Sequence, residues 1–177
     1  MIISIIVAIS KNQVIGKNNQ LIWHLPKDMK FFMDTTMDTV VIMGRKNYES
    51  IPIKYRPLKN RKNVIITRNK SYKAEGCTVV NSIDESLKVL NNIENKEIFV
   101  IGGGEIYKKF LEKGLIDRMY ITHIDEYFDG DTFFPEFNYK SWKSTEILEH
   151  SKDVTNPHDF KIMVYNKLNS TRISNFF

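Results

Sequence analysis

The chain has 177 residues, of which 42% are hydrophobic and 27% charged, a length that can bury a real core and a balance that excludes a disordered or collagen-like protein. The formal net charge of +5 favours an anionic partner, without choosing among nucleic acid, a membrane surface and a phosphorylated or carboxylated small molecule. The single cysteine, Cys77, excludes an internal disulfide framework and a cysteine-rich zinc site, and it fits a reducing cytosol.

In chain order, Met1 to Ile9 is apolar but short. It lacks a basic leader and a small-residue cleavage site, so no targeting segment is expected. No apolar run approaches the roughly 20 residues that span a bilayer, so a soluble protein is expected. Ile2 to Ile9 is nearly all β-branched and reads as a strand buried on both faces. Lys11 to Gln20 is polar and Asn-rich and reads as a loop. Pro26, in its favoured first-turn position, opens a helix to about Thr36. Val40 to Met43 is a second buried strand ending at Gly44, and Arg45 to Ser50 a short helix. Pro52 to Asn60 is a loop, Val64 to Thr67 a third strand and Thr78 to Val80 a fourth.

Ser82 caps a helix to about Asn92, with Glu85 completing a capping box. Ile98 to Ile101 is a strand, followed by Gly102-Gly103-Gly104 and a helix from Glu105 to Lys113. Arg118 to Ile124 is another strand. Trp142 to Leu168 alternates as an antiparallel pair with a turn near Asn156-Pro157. The pattern is α/β: a mostly parallel sheet finished by a hairpin on one edge. No linker divides it, so residues 1–169 are expected to form one domain and 170–177 a loose tail.

Trp23-His24-Leu25-Pro26-Lys27-Asp28 is the first segment that calls for a chemical explanation. At 100° per residue, Leu25, Asp28, Met29 and Phe32 share the helix face that should meet protein, while Lys27, Lys30 and Asp34 meet water. Asp28 is either an exposed first-turn acid favoured by the helix dipole or a partly buried acid placed to hold a ligand. The dipole contributes about 0.3–1 kcal/mol toward ionisation. Full burial raises a carboxyl by up to about 3–5 units, at about 1.4 kcal/mol each, so a buried face would win.

At Ile98 to Tyr107 a buried strand enters three glycines and then a helix. The run is either a tight turn or a cradle in which backbone and helix amides approach an anion. Its spacing matches neither the Rossmann nor the Walker A pattern. Met43-Gly44-Arg45-Lys46 and Thr67-Arg68 stand at two further strand ends, where ligands sit in open α/β sheets. Singly, each arginine reads as a solvated surface charge. Together the three ends suit a phosphorylated dinucleotide, with Arg45 and Arg68 available for an extra phosphate. The four histidines lack metal-ligand spacing, no metal site is expected, and the nucleic-acid signal is weak.

From Ile2 to about Leu168 the chain resembles dihydrofolate reductase, closest to the single-domain bacterial form. The landmarks appear in order: Ile5-Ile6-Val7-Ala8, Val14-Ile15-Gly16, Trp23 to Asp28, Val41-Ile42-Met43-Gly44-Arg45, Arg61-Lys62-Asn63, Ile101 to Gly104, Tyr120 to Ile124, and Gly130-Asp131-Thr132 before Phe134-Pro135. The resemblance implies a central eight-stranded, mostly parallel sheet with an antiparallel edge hairpin, flanked by helices. It implies hydride transfer from NADPH to C6 of dihydrofolate with protonation at N5, giving tetrahydrofolate for one-carbon metabolism. It further implies a cytoplasmic monomer that is open to antifolates at the pterin site and has no membrane or obligate nucleic-acid partner.

By the same resemblance Asp28 accepts hydrogen bonds from the pterin and favours its protonated form, while water delivers the N5 proton. Trp23 and Thr122 order the water and carboxylate network, and Leu21 in the adjoining lid belongs to the same catalytic group. Ile6, Val7 and Ile101 flank the pterin. Phe32, Met33, Ile51 and Leu58 line the pterin and aminobenzoyl groups, and Arg61 clamps the glutamate α-carboxylate. Ala8, Ile15 and Gly16 form the nicotinamide edge. Gly44, Arg45, Lys46, Asn47, Thr67 and Arg68 surround the adenosine phosphates. Ile101, Gly102, Gly103, Gly104, Glu105, Ile106 and Tyr107 make up the cradle segment, in which the Gly102-Gly103 peptide is expected to be cis. The loop from Lys11 to Trp23 is the mobile lid.

There are departures from the family pattern. Leu21-Ile22 replaces a Met-Pro pair of some bacterial members, and Asn47 stands where threonine is common. Lys54 to Lys59 lengthens the loop before Arg61. Glu105 places a negative charge beside the cradle, so its side chain is given no contact. Two other readings compete: the related NADPH-dependent reductase of riboflavin synthesis, and a non-catalytic ligand-binding protein on this fold. The first lacks the Trp23-to-Asp28 segment together with Arg61. The second has only the basic charge in its favour.

Overall fold

Strand β1 (Ile2–Ile9) lies inside the sheet with Ile3, Ile5, Ile6, Val7 and Ile9 buried. Its nearly all-apolar, mostly β-branched run, broken only by buried Ser4 and by Ala8, has little polar face to offer water, so protein covers both sides. The computed structural model describes residues 1–90 and 97–168. The expected tail, 170–177, and the last two residues of the helix expected to reach Asn92 lie outside the described residues.

After β1 come β2 (Val14–Gly16), α1 (Pro26–Thr36), β3 (Val40–Gly44), α2 (Arg45–Ser50), β4 (Lys62–Ile66), β5 (Cys77–Val80) and α3 (Ile83–Leu90). Then follow β6 (Glu97–Val100), α4 (Gly104–Glu112), β7 (Arg118–Ile124), β8 (Thr132–Phe133), β9 (Trp142–His150) and β10 (Phe160–Lys167). Eight strands form one sheet in the order β5-β4-β3-β6-β1-β7-β10-β9. The pairs from β5 through β7 are parallel, and β7-β10 and β10-β9 are antiparallel. The eight-stranded sheet with an antiparallel edge is therefore as expected.

Most elements match the expected ones to within two residues. Two strands do not appear in the sequence reading: β2, inside the stretch that reads as a loop, pairs with β8. A short 3-10 turn at Ile53–Tyr55 interrupts the loop before Arg61. The capping box at α3 forms with a shift. Ser82 Oγ accepts from Glu85 N at 3.0 Å, but the Glu85 carboxylate returns to Asn81 N at 2.7 Å.

The sheet separates two apolar layers. Ile3, Ile5, Val40, Ile42, Ile98 and Val100 pack with Ile83 and Leu90 of α3 and Ile106, Tyr107 and Phe110 of α4. On the other face Ile6, Val41, Met43, Phe99 and Ile101 pack with Phe31 and Phe32 of α1 and Tyr48 of α2. No helix among the described residues is long and apolar enough to cross a membrane. The parallel strands β1, β3, β4 and β6 all end toward the same side, and α1 runs past them on one face. In open α/β sheets the crevice beyond these carboxyl ends is the ligand-binding cleft.

Candidate active site

Asp28 sits in the first turn of α1, half-buried, and its Oδ1 accepts a 2.6 Å hydrogen bond from Thr122 Oγ1. Thr122 is on β7, 3% exposed, and in register with Ala8 of β1. The carboxylate therefore faces protein at the cleft, and the reading of an exposed first-turn acid fails. Burial pushes its carboxyl above the usual aspartate range, and the Thr122 bond opposes that without cancelling it. One part of the helical-face expectation is corrected. Leu25 is buried and Phe32 half-buried, but Met29 is 43% exposed, so the cover over this face stops short of it.

Around Asp28 the structure brings together several expected residues. Half-buried Trp23 packs on Phe128 with ring centroids 5.3 Å apart, in the cluster of Leu25, Ile124 and Phe160. Val7 and Ile101 are both 9% exposed and Ile6 6%, so the cleft floor is apolar. The Ile6 carbonyl accepts from Tyr107 Oη at 3.0 Å, and the Ile101 carbonyl accepts from Asn47 Nδ2 at 3.0 Å. Tyr107 is buried, which holds its hydroxyl well above the usual tyrosine range, so it serves only as a neutral donor. Leu21 is 59% exposed and Met33 45%, at the rim rather than the floor.

Phe32, Ile51 and Leu58 are partly buried against Val41, Met43, Phe99 and Ile101. Arg61 lies at the outer end of this wall, 6.0 Å from the Phe32 ring centre. Its Nε donates to Thr36 Oγ1 at 2.9 Å, and its two terminal nitrogens donate to Lys59 O at 2.8 Å and Met33 O at 3.0 Å. A guanidinium carries five N–H donors, so this fork is oriented by three and keeps two for a carboxylate. Buried Asn63, 2% exposed, fixes the loop that carries it through Leu58 N, Leu58 O and Arg61 O. In the sequence, neither Thr36 nor Asn63 carries the mark of a site residue. Only the Arg61-Lys62-Asn63 landmark hinted at the latter.

On the other side of the cleft the Gly102-Gly103 peptide is cis, and Gly102 has φ of +113°. A Cβ at Gly102 would press on the Tyr107 ring at 3.2–3.3 Å, whereas a Cβ at Gly103 would meet nothing within 4 Å. Gly103 is also the N-cap of α4, with no side-chain cap. An open backbone surface beside first-turn amides fits a pyrophosphate. Gly44 N donates to Gly102 O at 2.8 Å and ties β3 to this turn, while buried Ile106 packs over Gly44. The Glu105 side chain points to solvent.

Gly44 and Ile66 are register partners, so Arg45 and Thr67 leave neighbouring strand ends side by side. Arg45 meets Glu49 at 3.2 Å and lies 5.8 Å from the Tyr72 ring. Thr67 is 8% exposed, and Lys46 and Arg68 are exposed. Two exposed-edge cations beside a buried hydroxyl fit a further phosphate, so the residues present fit a phosphorylated dinucleotide.

The segment over the cleft is held down. Asp131 Oδ2 accepts from Asn18 N at 2.8 Å, and Asp131 N donates to Gly16 O at 3.2 Å. The Asn18 amide, ahead of the Thr132 hydroxyl, keeps the Asp131 carboxyl below the usual range. Lys17 pairs with Asp129. Gly130 is required here, since a Cβ would sit 2.2 Å from Val14 Cγ1. Half-buried Ile15 is thus placed beside Gly104, and Gly16 next to it is buried. Asp131 was visible only as part of a motif, without a role. Among the described residues no three His, Cys, Asp or Glu side chains are grouped to hold a metal.

The family model for dihydrofolate reductase matches residues 2–167. The chain is 41% identical to the dihydrofolate reductase of Bacillus subtilis (strain 168), covering 98% of this chain and 99% of that one. It is 39% identical to the Staphylococcus haemolyticus dihydrofolate reductase, covering 94% and 96%. A solved dihydrofolate reductase from Enterococcus faecalis, complexed with NADP(H) and RAB-propyl, superposes with a TM-score of 0.85 at 33% identity, covering 94% of this chain and 96% of that one. This chain belongs to the dihydrofolate reductase family.

Proposed function

We propose that this protein reduces 7,8-dihydrofolate to 5,6,7,8-tetrahydrofolate with NADPH, acting as a cytoplasmic monomer that antifolates inhibit at the pterin site. The observation that carries the reading is the Asp28–Thr122 pair, a carboxylate in an apolar cleft with an open glycine cradle opposite. NADPH, when bound, supplies the hydride that reaches C6 of the substrate.

The protein's own residues do the rest. Asp28 accepts hydrogen bonds from the pterin N3 and 2-amino group and stabilises the positive charge that N5 protonation creates. Thr122 fixes the carboxylate oxygen that would otherwise rotate, and Trp23 orders the water that delivers the proton. The Ile6 and Ile101 carbonyls, Val7, Phe32, Ile51 and Leu58 hold the pterin and aminobenzoyl groups, with Met33 and Leu21 at the rim. Arg61 turns its two remaining N–H groups to the glutamate α-carboxylate. On the cofactor side, Gly102 to Gly104 and the backbone of Glu105 and Ile106 receive the pyrophosphate. Ala8, Ile15, Gly16 and Tyr107 border the nicotinamide. Gly44, Arg45, Lys46, Asn47, Thr67 and Arg68 receive the adenosine phosphates. Closing the lid excludes water from the reacting atoms.

Mixing the folded protein with dihydrofolate and NADPH is expected to give a fall in NADPH absorbance that depends on both. No consumption would sink the reading. Arg45→Ala is expected to weaken NADPH by about 10- to 100-fold, the value of one charge-assisted contact, and to leave NADH nearly unchanged. Equal losses for both cofactors would remove Arg45 from the 2′-phosphate.

A further inference from the structure

Helix α1 carries the carboxylate but has no cap of its own. Its N-cap position is Leu25, whose aliphatic side chain has no atom to accept a hydrogen bond and is buried with Ile124 and Phe160 instead. First-turn amides left without acceptors fray. Here the acceptor comes from 129 residues away: Lys27 N donates to Asn156 Oδ1 at 3.0 Å.

Asn156 lies in the loop between β9 and β10. It is 4% exposed, while its neighbours Thr155 and Pro157 are exposed. A primary amide is stable there only if its donors and acceptor are met. Asp153 meets the donors, accepting from Asn156 N at 2.7 Å and from Asn156 Nδ2 at 3.2 Å. That leaves Oδ1 for Lys27. These bonds hold the Asp153 carboxyl below its usual range. Asp153 Oδ2 also meets His150 Nε2 at 2.9 Å, and His150 Nδ1 meets Lys27 Nζ at 2.9 Å. The connection thus leaves from the Lys27 backbone and returns to the Lys27 side chain. The same loop braces Trp23 at one remove: His158 packs on Phe128 at 5.1 Å, and Phe128 on Trp23 at 5.3 Å.

We infer that Asn156 is a positioning residue for the reduction: by capping α1 from the β9–β10 loop it fixes Asp28 against Thr122. Lys27 and Asp28 are consecutive, so a helix start that slackens moves the carboxylate directly. The bond at stake is 2.6 Å long, and it joins the start of α1 to β7. Fraying would break it and let water reach the carboxylate. The inference rests on the role proposed for Asp28.

The test compares Asn156→Ala with the parent chain in kcat, KM and the pH dependence of kcat, alongside Tm. Expected are a fall in kcat of about 3- to 30-fold, as for a misplaced group, with a smaller change in KM. The kinetic midpoint should move down, because relief of burial, the larger influence on Asp28, outweighs loss of the Thr122 bond. Asp153→Ala changes an exposed side chain and keeps the fold if Asn156→Ala does not. It should move both quantities the same way by less. Exchanging the pair, Asp153→Asn with Asn156→Asp, keeps an acceptor on Lys27 N and a donor–acceptor match between the two side chains, and it should restore most of kcat. A lowered Tm with unchanged kcat and midpoint in both single variants would overturn the proposal, as would an exchange that restores Tm alone. Lys152→Ala, in the same loop, is expected to match the parent chain. Asp28→Asn separates the two levels. If it leaves the pH profile intact, the reading of Asp28 fails. If it abolishes the midpoint while Asn156→Ala leaves it in place, only the role of Asn156 fails.

Discussion

Asp28→Asn is expected to lower kcat for dihydrofolate reduction by about 10²–10³-fold, the usual worth of a positioned acid–base group, and to flatten its pH profile. The amide keeps the shape and can still accept from Thr122, so the loss isolates the negative charge. Without it, nothing at the cleft floor favours the protonated pterin. The same substitution should act oppositely on stability. Burial raises the Asp28 pKa in the folded state, so the folded protein holds this proton to higher pH than the unfolded chain does. Stability therefore falls as pH rises from the ordinary aspartate range through the raised folded value. Asp28→Asn removes that cost. It should raise Tm near neutral pH, with the advantage disappearing below about pH 4, where both states are protonated. Thermal unfolding of both proteins across pH checks this. A lower Tm for Asp28→Asn at neutral pH would mean that the carboxylate is held by more than it loses on burial.

Arg61→Leu should act on binding instead. Truncating one side of a desolvated charge pair costs about 2–4 kcal/mol, which is roughly a 30- to 700-fold rise in KM for dihydrofolate. NADPH affinity should be unaffected. A substrate lacking the glutamate should show no such penalty, which distinguishes a lost carboxylate contact from a collapsed loop. Arg61→Lys should recover little, because an ammonium cannot make the fork that Thr36, Lys59 and Met33 hold in place. An equal rise in KM with and without the glutamate would place the carboxylate elsewhere.

The parts of the molecule legible in the sequence are those that local chemistry decides. β1 is visible because seven of its eight residues are apolar and only Ser4 is polar, and α1 because Pro26 stands in its favoured first-turn position ahead of an apolar helical face. Asp28 is legible because a carboxylate on an apolar helical face is costly unless used. The glycine run stands out because three glycines exceed what a turn needs. β2 and β8 are not legible: three and two residues carry no periodicity, and each is a strand only because the other is there. Met29 misleads because helical periodicity assumes cover on every apolar position, and here the cover stops short of one. Thr36, Asp131 and Asn156 are polar residues of ordinary type whose partners lie 25, 113 and 129 positions away. Nothing local marks a residue that acts through such a contact.

Everything above turns on hydride transfer from the nicotinamide C4 to C6 of dihydrofolate in this cleft. The direct measurement is single-turnover reduction with NADPH carrying deuterium at both C4 positions, with the folate product read by NMR. The account predicts deuterium at C6 of tetrahydrofolate in step with NADPH consumed, and no such product from Asp28→Asn on the same timescale. NADPH oxidation without deuterium at C6, or an equal rate from Asp28→Asn, would contradict it.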